Sequence, residues 1–394
     1  MSTAAEPAAG VAAGIASKDR RRLAFIDACR GICAAVIAAH HLCLYGPLPE
    51  AAAALTDDGG WFFPLTGQAV EFLREHGRYA VQVFLVLGGF VQYLTFPRNK
   101  LSLEQGSSYL FQRYLRLAVP LIGVLALGLI AQFASATLRP VTPYIEEFSL
   151  PHFIAQIFFL QDIFGYGGLM PGHWYPAIDL QFAILFMGAV YAVDRLLNFR
   201  WLRRFSRDAF LLTTLGVIAI GSLFFWNRDS AHESWVVYFL GSYFLGILAA
   251  AVFDKRAPWP LFAGYVVILG CALIVDFRIR LVVALAAAVV LLLGGLSHNL
   301  DRWLNFRWLT WLGRISYSFF LIHTVVHWLV LSVGHGVTGT EPHAALAWML
   351  LAYFLAIPAA WGFYQLAERP SLWLVAWWKQ AAIPLPNNRE TVAT

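Results

Sequence analysis

Residues 23–45 read LAFIDACRGICAAVIAAHHLCLY. A helix crosses a bilayer with about 20 mostly apolar residues, so this stretch is long enough to span. Yet it carries Asp27, Arg30, His40 and His41, and ionisable groups in a membrane helix are costly and point to function. At about 100° per residue, Arg30 and His41 lie eleven positions but only about 20° of azimuth apart. Asp27 falls within roughly 60° of Arg30, whereas His40 points some ~80° away. One face thus holds a cation and, roughly 16 Å further along the axis, an imidazole. The structural alternative is an Asp27–Arg30 pair with an interfacial histidine.

The rest of the chain has the same character. Of 394 residues, 59% are hydrophobic and 13% charged, where a soluble domain carries about 25% charged. Such a surface does not suit water, which excludes a soluble globular, disordered or nucleic-acid-binding protein. The pattern predicts an all-α polytopic membrane protein with ten spans: 23–45, 79–97, 111–134, 174–194, 209–226, 235–253, 259–276, 280–296, 310–333 and 344–364. The apolar but short stretch 150–162 reads as re-entrant or interfacial. With the N-terminus inside, 21 of the 28 Lys and Arg fall on inner segments. Only Arg74, Arg78, Arg139, Arg228, Arg278 and Arg280 fall outside, and Arg30 lies within the first helix. Both termini are therefore expected in the cytoplasm, and the net charge of +5 is mainly a topology signal. Residues 1–22 read as a disordered tail without the basic start of a cleavable signal, 23–370 as one transmembrane domain and 371–394 as a cytoplasmic tail.

Further costly or patterned residues lie deeper in the chain. Gly88-Gly89 suits close helix packing. Arg113 and Arg116 share a helix face at the inner boundary, either as topology anchors or as a phosphate clamp. Residues 171–186, PGHWYPAIDLQFAILF, bury Asp179 one or two turns past an aromatic belt. Residues 312–328, LGRISYSFFLIHTVVHW, hold His323 and His327. Thr324 stands where a zinc motif would have Glu and no third ligand is evident, so no metal is expected. Cys29, Cys33, Cys43 and Cys271 lack ligand spacing and read as small buried hydrophobes. By depth, Arg30, Arg113 and Arg116 form a group facing an entering anion, and His41, Asp179 and His323 an acid–base group nearer the outside. DRLLNFRWL (194–202) and DRWLNFRWL (301–309) agree at eight of nine positions. The sequence diverges directly after them, so they read as basic-aromatic segments at the headgroup level rather than as a duplication.

These residues resemble the acyltransferase 3 family of bacterial integral-membrane acyltransferases. The resemblance rests on Ile26-Asp27-Ala28-Cys29-Arg30-Gly31 with His41, and on Arg113 and Arg116 ahead of Pro120. Trp174 to Phe182, Leu312 to His323 and the closing Glu368-Arg369-Pro370 complete it. The chain departs from the family pattern at Gly88, at Asp179 where the family has glutamate, and at Phe320 where it has tyrosine. The resemblance implies O-acyl transfer from cytoplasmic acyl-CoA, acetyl-CoA foremost, to a hydroxyl of an outward-facing acceptor such as a cell-envelope polysaccharide. It further implies a bacterial inner-membrane location and no tightly bound cofactor. CoA phosphates would meet Arg30, Arg113 and Arg116. His41, whose imidazole has an unperturbed pKa of about 6.5, would act as general base or carry an acyl intermediate, with Asp179 or His323 orienting it. The competing expectation is a transporter or flippase for an acylated or anionic solute, using the same intramembrane charges as a relay.

Overall fold

The structure, a computed structural model, describes residues 23–57, 62–96, 100–138, 149–202 and 204–381. The expected tail 1–22 and residues 382–394 of the expected C-terminal tail lie outside the described residues. Among the described residues there are fifteen α-helices and no strand. The spanning set begins with α1 (Ala24–Leu42). The short α2 (Pro47–Ala53) and α3 (Phe62–His76) lead to α4 (Ala80–Thr95), and α5 follows (Leu103–Leu138). After the short α6 (Leu150–Ile157) come α7 (Trp174–Leu196), α8 (Arg207–Phe224), α9 (Val236–Phe253), α10 (Trp259–Val275) and α11 (Ile279–Leu296). The chain closes with α12 (Arg307–Arg314), α13 (Ser316–Thr338), α14 (Pro342–Phe363) and α15 (Arg369–Ala381).

All ten windows read from hydropathy fall on helices, but eight helices among the described residues are long and apolar enough to cross a membrane. The exceptions are α4, with 16 residues, and α10, with 17. At about 1.5 Å per residue each is about 24–26 Å long, short of a hydrocarbon core of about 30 Å. The window 310–333 is two helices, broken at Ile315, whose backbone (φ −96°, ψ 8°) leaves the helical region. Helix α5 begins eight residues before the expected 111, which carries Arg113 about 15 Å from its start instead of leaving it at the boundary. The stretch 150–162 is one short helix followed by a loop whose Phe159, Leu169 and Met170 are buried in the core. Residues 369–381 are helical. Cys271 is exposed on α10, in contrast to the buried Cys33 and Cys43.

Helix α9 is the hub. Its sequence, VVYFLGSYFLGILAAAVF, is apolar all round, as a helix enclosed on every side must be. It packs on α4 where Gly89 meets Gly246. A Cβ on Gly246 would lie 2.0 Å from the Val86 carbonyl oxygen, and one on Gly89 would lie 2.1 Å from that of Tyr243. One apolar core surrounds α9, and a second joins α1, α5, α13 and α14. A second glycine crossing sets α1 against α12. A Cβ on Gly313 would sit 1.8 Å from the Asp27 carbonyl oxygen, and one on Gly31 would sit 2.9 Å from the Gly313 nitrogen. Small residues that let backbones touch are the main route to tight helix pairs in lipid.

Gly313→Ala is therefore expected to force α12 off α1. A loss of about 1–3 kcal/mol should appear as a lower unfolding temperature of the detergent-solubilised protein. Gly362→Ala serves as control, because a Cβ there meets nothing within 4 Å.

Candidate active site

A cavity of 170 Å³ opens between α1, α4, α5, α7, α12 and α13. Four arginines line it, Arg30, Arg113, Arg116 and Arg314, against three carboxylates, Asp27, Asp179 and Glu368. Arg113 Nη2 donates to Asp179 Oδ1 at 2.5 Å, joining α5 to α7. Glu368 is buried and accepts from the Ser318 amide (3.1 Å) and hydroxyl (2.5 Å). It stands at the end of a π-helical turn, Tyr364–Glu368, a local widening of the helix that recurs at functional sites. Among the described residues Arg30 and Arg116 make no ion pair or hydrogen bond through their side chains. Arg314 likewise makes none, so the cavity holds more guanidinium than carboxylate, with only Arg113 of its four arginines neutralised by direct contact among the described residues. Such a site suits a phosphorylated anion.

A second polar centre lies beyond the cavity wall. His41 Nδ1 and His323 Nε2 are 2.9 Å apart, with nearly parallel rings whose centroids are 5.2 Å apart. His323 is fully buried, and its Nδ1 lies 2.9 Å from the carbonyl oxygen of Phe319, one turn back on its own helix. A carbonyl only accepts, so His323 Nδ1 carries the proton. The neutral ring's Nε2 is then an acceptor, and His41 Nδ1 must be its donor. This chain of two bonds leaves His41 Nε2 with a free lone pair. His40 is turned elsewhere, its Nδ1 donating to the Leu73 carbonyl at 2.8 Å.

The loop between α6 and α7 forms the wall beside His41. Gly172 has φ +82°, and a Cβ there would lie 3.1 Å from His41 Cε1 and 3.3 Å from Phe320 Cζ. Only glycine meets both demands. Fully buried Gln156 holds the loop, its Oε1 accepting from the Leu169 amide at 3.0 Å. Phe320 lines the cavity on one side and approaches the histidines on the other, its ring centroid 6.2 Å from that of His323. It stands as a partition between the two centres.

The geometry regroups the residues read from the sequence. Asp27, Arg30, Arg113 and Arg116 share the cavity, and His41 meets His323. Asp179 is not part of the histidine group; it is bonded to Arg113. Depth counted from helix ends misassigned it, because α5 starts earlier than its apolar run and carries Arg113 down to the carboxylate. Sequence reading also missed Arg314, Gly172, Gln156 and the buried partner of Glu368. The Pro171-Gly172 pair, a turn signal ahead of α7, was the available pointer to the loop. Among the described residues no group of three or more His, Cys, Asp or Glu side chains is arranged to hold a metal ion.

Compared with known proteins, the chain matches the family model described as the acyltransferase domain, Acyl_transf_3, over residues 23–367. No curated protein and no solved structure matches it.

Asp179→Asn should leave Arg113 without its counter-charge in the cavity and destabilise the fold by about 3 kcal/mol. Adding Arg113→Gln should recover part of that loss. Thermal unfolding of both variants and the wild type checks the coupling.

Proposed function

The chain belongs to the acyltransferase 3 family of membrane acyltransferases, and on that premise we propose that it moves an acyl group, acetyl foremost, from acyl-CoA to a hydroxyl of a cell-envelope glycan. The observation that carries this reading is the free Nε2 of His41 beside an arginine-rich cavity. His41 Nε2 takes the proton of the acceptor hydroxyl while that oxygen attacks the thioester carbonyl carbon. The carbon–sulfur bond then breaks, and the CoA thiolate recovers the proton from His41, so the enzyme returns to its starting state. His323 acts through His41: its Nε2 accepts the hydrogen bond from His41 Nδ1–H throughout and so holds the ring in the tautomer that offers Nε2.

Arg30, Arg113 and Arg116 bind the CoA phosphates. Asp179 keeps the Arg113 fork in place, and the buried Arg113 Nε, which has no partner, remains to donate. Asp27, in the first turn of α1 three residues before Arg30, offsets part of the positive field at the cavity wall. The distribution of Lys and Arg supports cytoplasmic termini, and the family supports an inner-membrane location, so that CoA enters from the cytoplasm and the acceptor from the opposite side. No metal and no tightly bound cofactor enters this scheme. The partition at Phe320 supports a short acyl group, because the thioester carbonyl must pass its ring to reach His41.

Two measurements test the reading. Membranes incubated with labelled acetyl-CoA and envelope glycans should transfer label, and His41→Ala at equal expression should lower the rate at least about 100-fold. Full transfer by that variant removes His41 as base. Phe320→Ala should raise kcat/KM for butyryl-CoA relative to acetyl-CoA by about tenfold, read from initial rates with each donor.

A further inference from the structure

The nonapeptides 194–202 and 301–309 have no place in the acyl-transfer scheme, yet the structure closes both with the same turn, although Leu197 is right-handed (φ −67°) where Leu304 is left-handed (φ +52°). The first runs off the end of α7 and the second leads into α12, so the likeness is not inherited from a shared helix. In each, the phenylalanine carbonyl accepts from the leucine amide three residues on, Phe199 from Leu202 at 3.1 Å and Phe306 from Leu309 at 3.0 Å. This turn buries the closing leucine, Leu202 or Leu309, and leaves the three residues before it exposed. Phe199 and Phe306 are each 57% exposed, and Trp201 and Trp308 are 67% and 65% exposed. Arg200 and Arg307, between the two aromatics in sequence, are exposed and make no ion pair or hydrogen bond through their side chains among the described residues.

Both segments lie at one end of the bundle. The cavity is lined there by Asp27, in the first turn of α1, and by Thr95, at the end of α4. The Phe25 amide donates to the Leu300 carbonyl, and the Phe25 ring packs edge-on against Trp303, which ties the second segment to the start of α1. Lys100 donates to the Asn198 side chain at 3.0 Å, which ties the first segment to the stretch following α4. The acid of the first segment, Asp194, is occupied by Arg207 through two hydrogen bonds. The acid of the second, Asp301, is exposed and has Arg302 beside it.

We propose that the Phe-Arg-Trp turns at 199–201 and 306–308 are two equivalent binding sites for the phosphate of an anionic phospholipid headgroup. An exposed phenylalanine and tryptophan on either side of an exposed arginine in sequence suit the membrane interface. There the rings sit at headgroup level and the planar fork takes the lipid phosphate. A soluble anion would gain nothing from the two rings, and the rings in turn bring the arginine to leaflet depth. Each arginine near an anionic leaflet contributes about 1 kcal/mol, a factor of about five in affinity.

The test is native mass spectrometry of the full chain in detergent, titrated with phosphatidylglycerol or phosphatidylcholine, and with glycerol 3-phosphate as soluble competitor. The wild type should retain phosphatidylglycerol preferentially. Arg200→Gln and Arg307→Gln should each weaken that retention about five-fold, and the double variant should hold both lipids alike. Glycerol 3-phosphate should not displace the lipid. Equal retention of the two lipids by the wild type, an unchanged preference in the double variant, or displacement by glycerol 3-phosphate would each overturn the proposal. Both arginines are exposed, and an unchanged unfolding temperature verifies that the variants fold.

Discussion

A charge enclosed by apolar helices must be paired, solvated or neutralised, and the cost of failing to do so organises the centre of this protein. The bond between Arg113 and Asp179 is where that requirement is met most directly. It joins α5 to α7 across 66 residues of sequence and holds a guanidinium at the depth of the cavity. Around it the other charges follow the same rule. Glu368 takes both polar donors of Ser318, while Arg30 and Arg116 face the cavity instead of the packed core. Cations left without direct counter-charges are tolerable there because the space admits water or a ligand.

Helix packing prepares the ground for this arrangement. The glycine crossings at Gly89–Gly246 and Gly31–Gly313 bring backbones into contact, which leaves little freedom for the side chains that flank them. Arg30 directly precedes Gly31, and Arg314 directly follows Gly313. The same crossing that joins α1 to α12 therefore delivers two of the four cavity arginines. Close packing and charge placement share one piece of sequence, which is why these glycines sit beside the charged residues.

The division into two centres bears on chemistry. An arginine-rich cavity and a histidine pair, separated by Phe320, keep an anion site apart from a base. The base itself is defined by a chain of hydrogen bonds that ends on a backbone carbonyl. Because that carbonyl cannot donate, it sets the tautomers of the two rings in their neutral form, and Nε2 of His41 is then the basic nitrogen. Gly172 completes the wall, since its φ of +82° favours glycine and a Cβ there would press on both His41 and Phe320.

Much of this was legible in residues 23–45. Their apolar length predicts a spanning helix, and the eleven-residue interval from Arg30 to His41 puts both on one face. Those are local properties, set by helical geometry and the composition of one segment. The positions of the remaining spans followed from hydropathy for the same reason. Partnership was not legible. Asp179 looked like a companion of His41 until the early start of α5 brought Arg113 to it. The break at Ile315 fell inside the single window 310–333. Gly172 showed only a turn signal, and the need for glycine arose from a side chain 131 residues away. By itself the sequence determined which segments are helical and which charges are buried at a cost, because period and hydrophobicity are written residue by residue. Only the tertiary structure decided which charge answers which, because that depends on where helices from distant parts of the chain start, cross and touch.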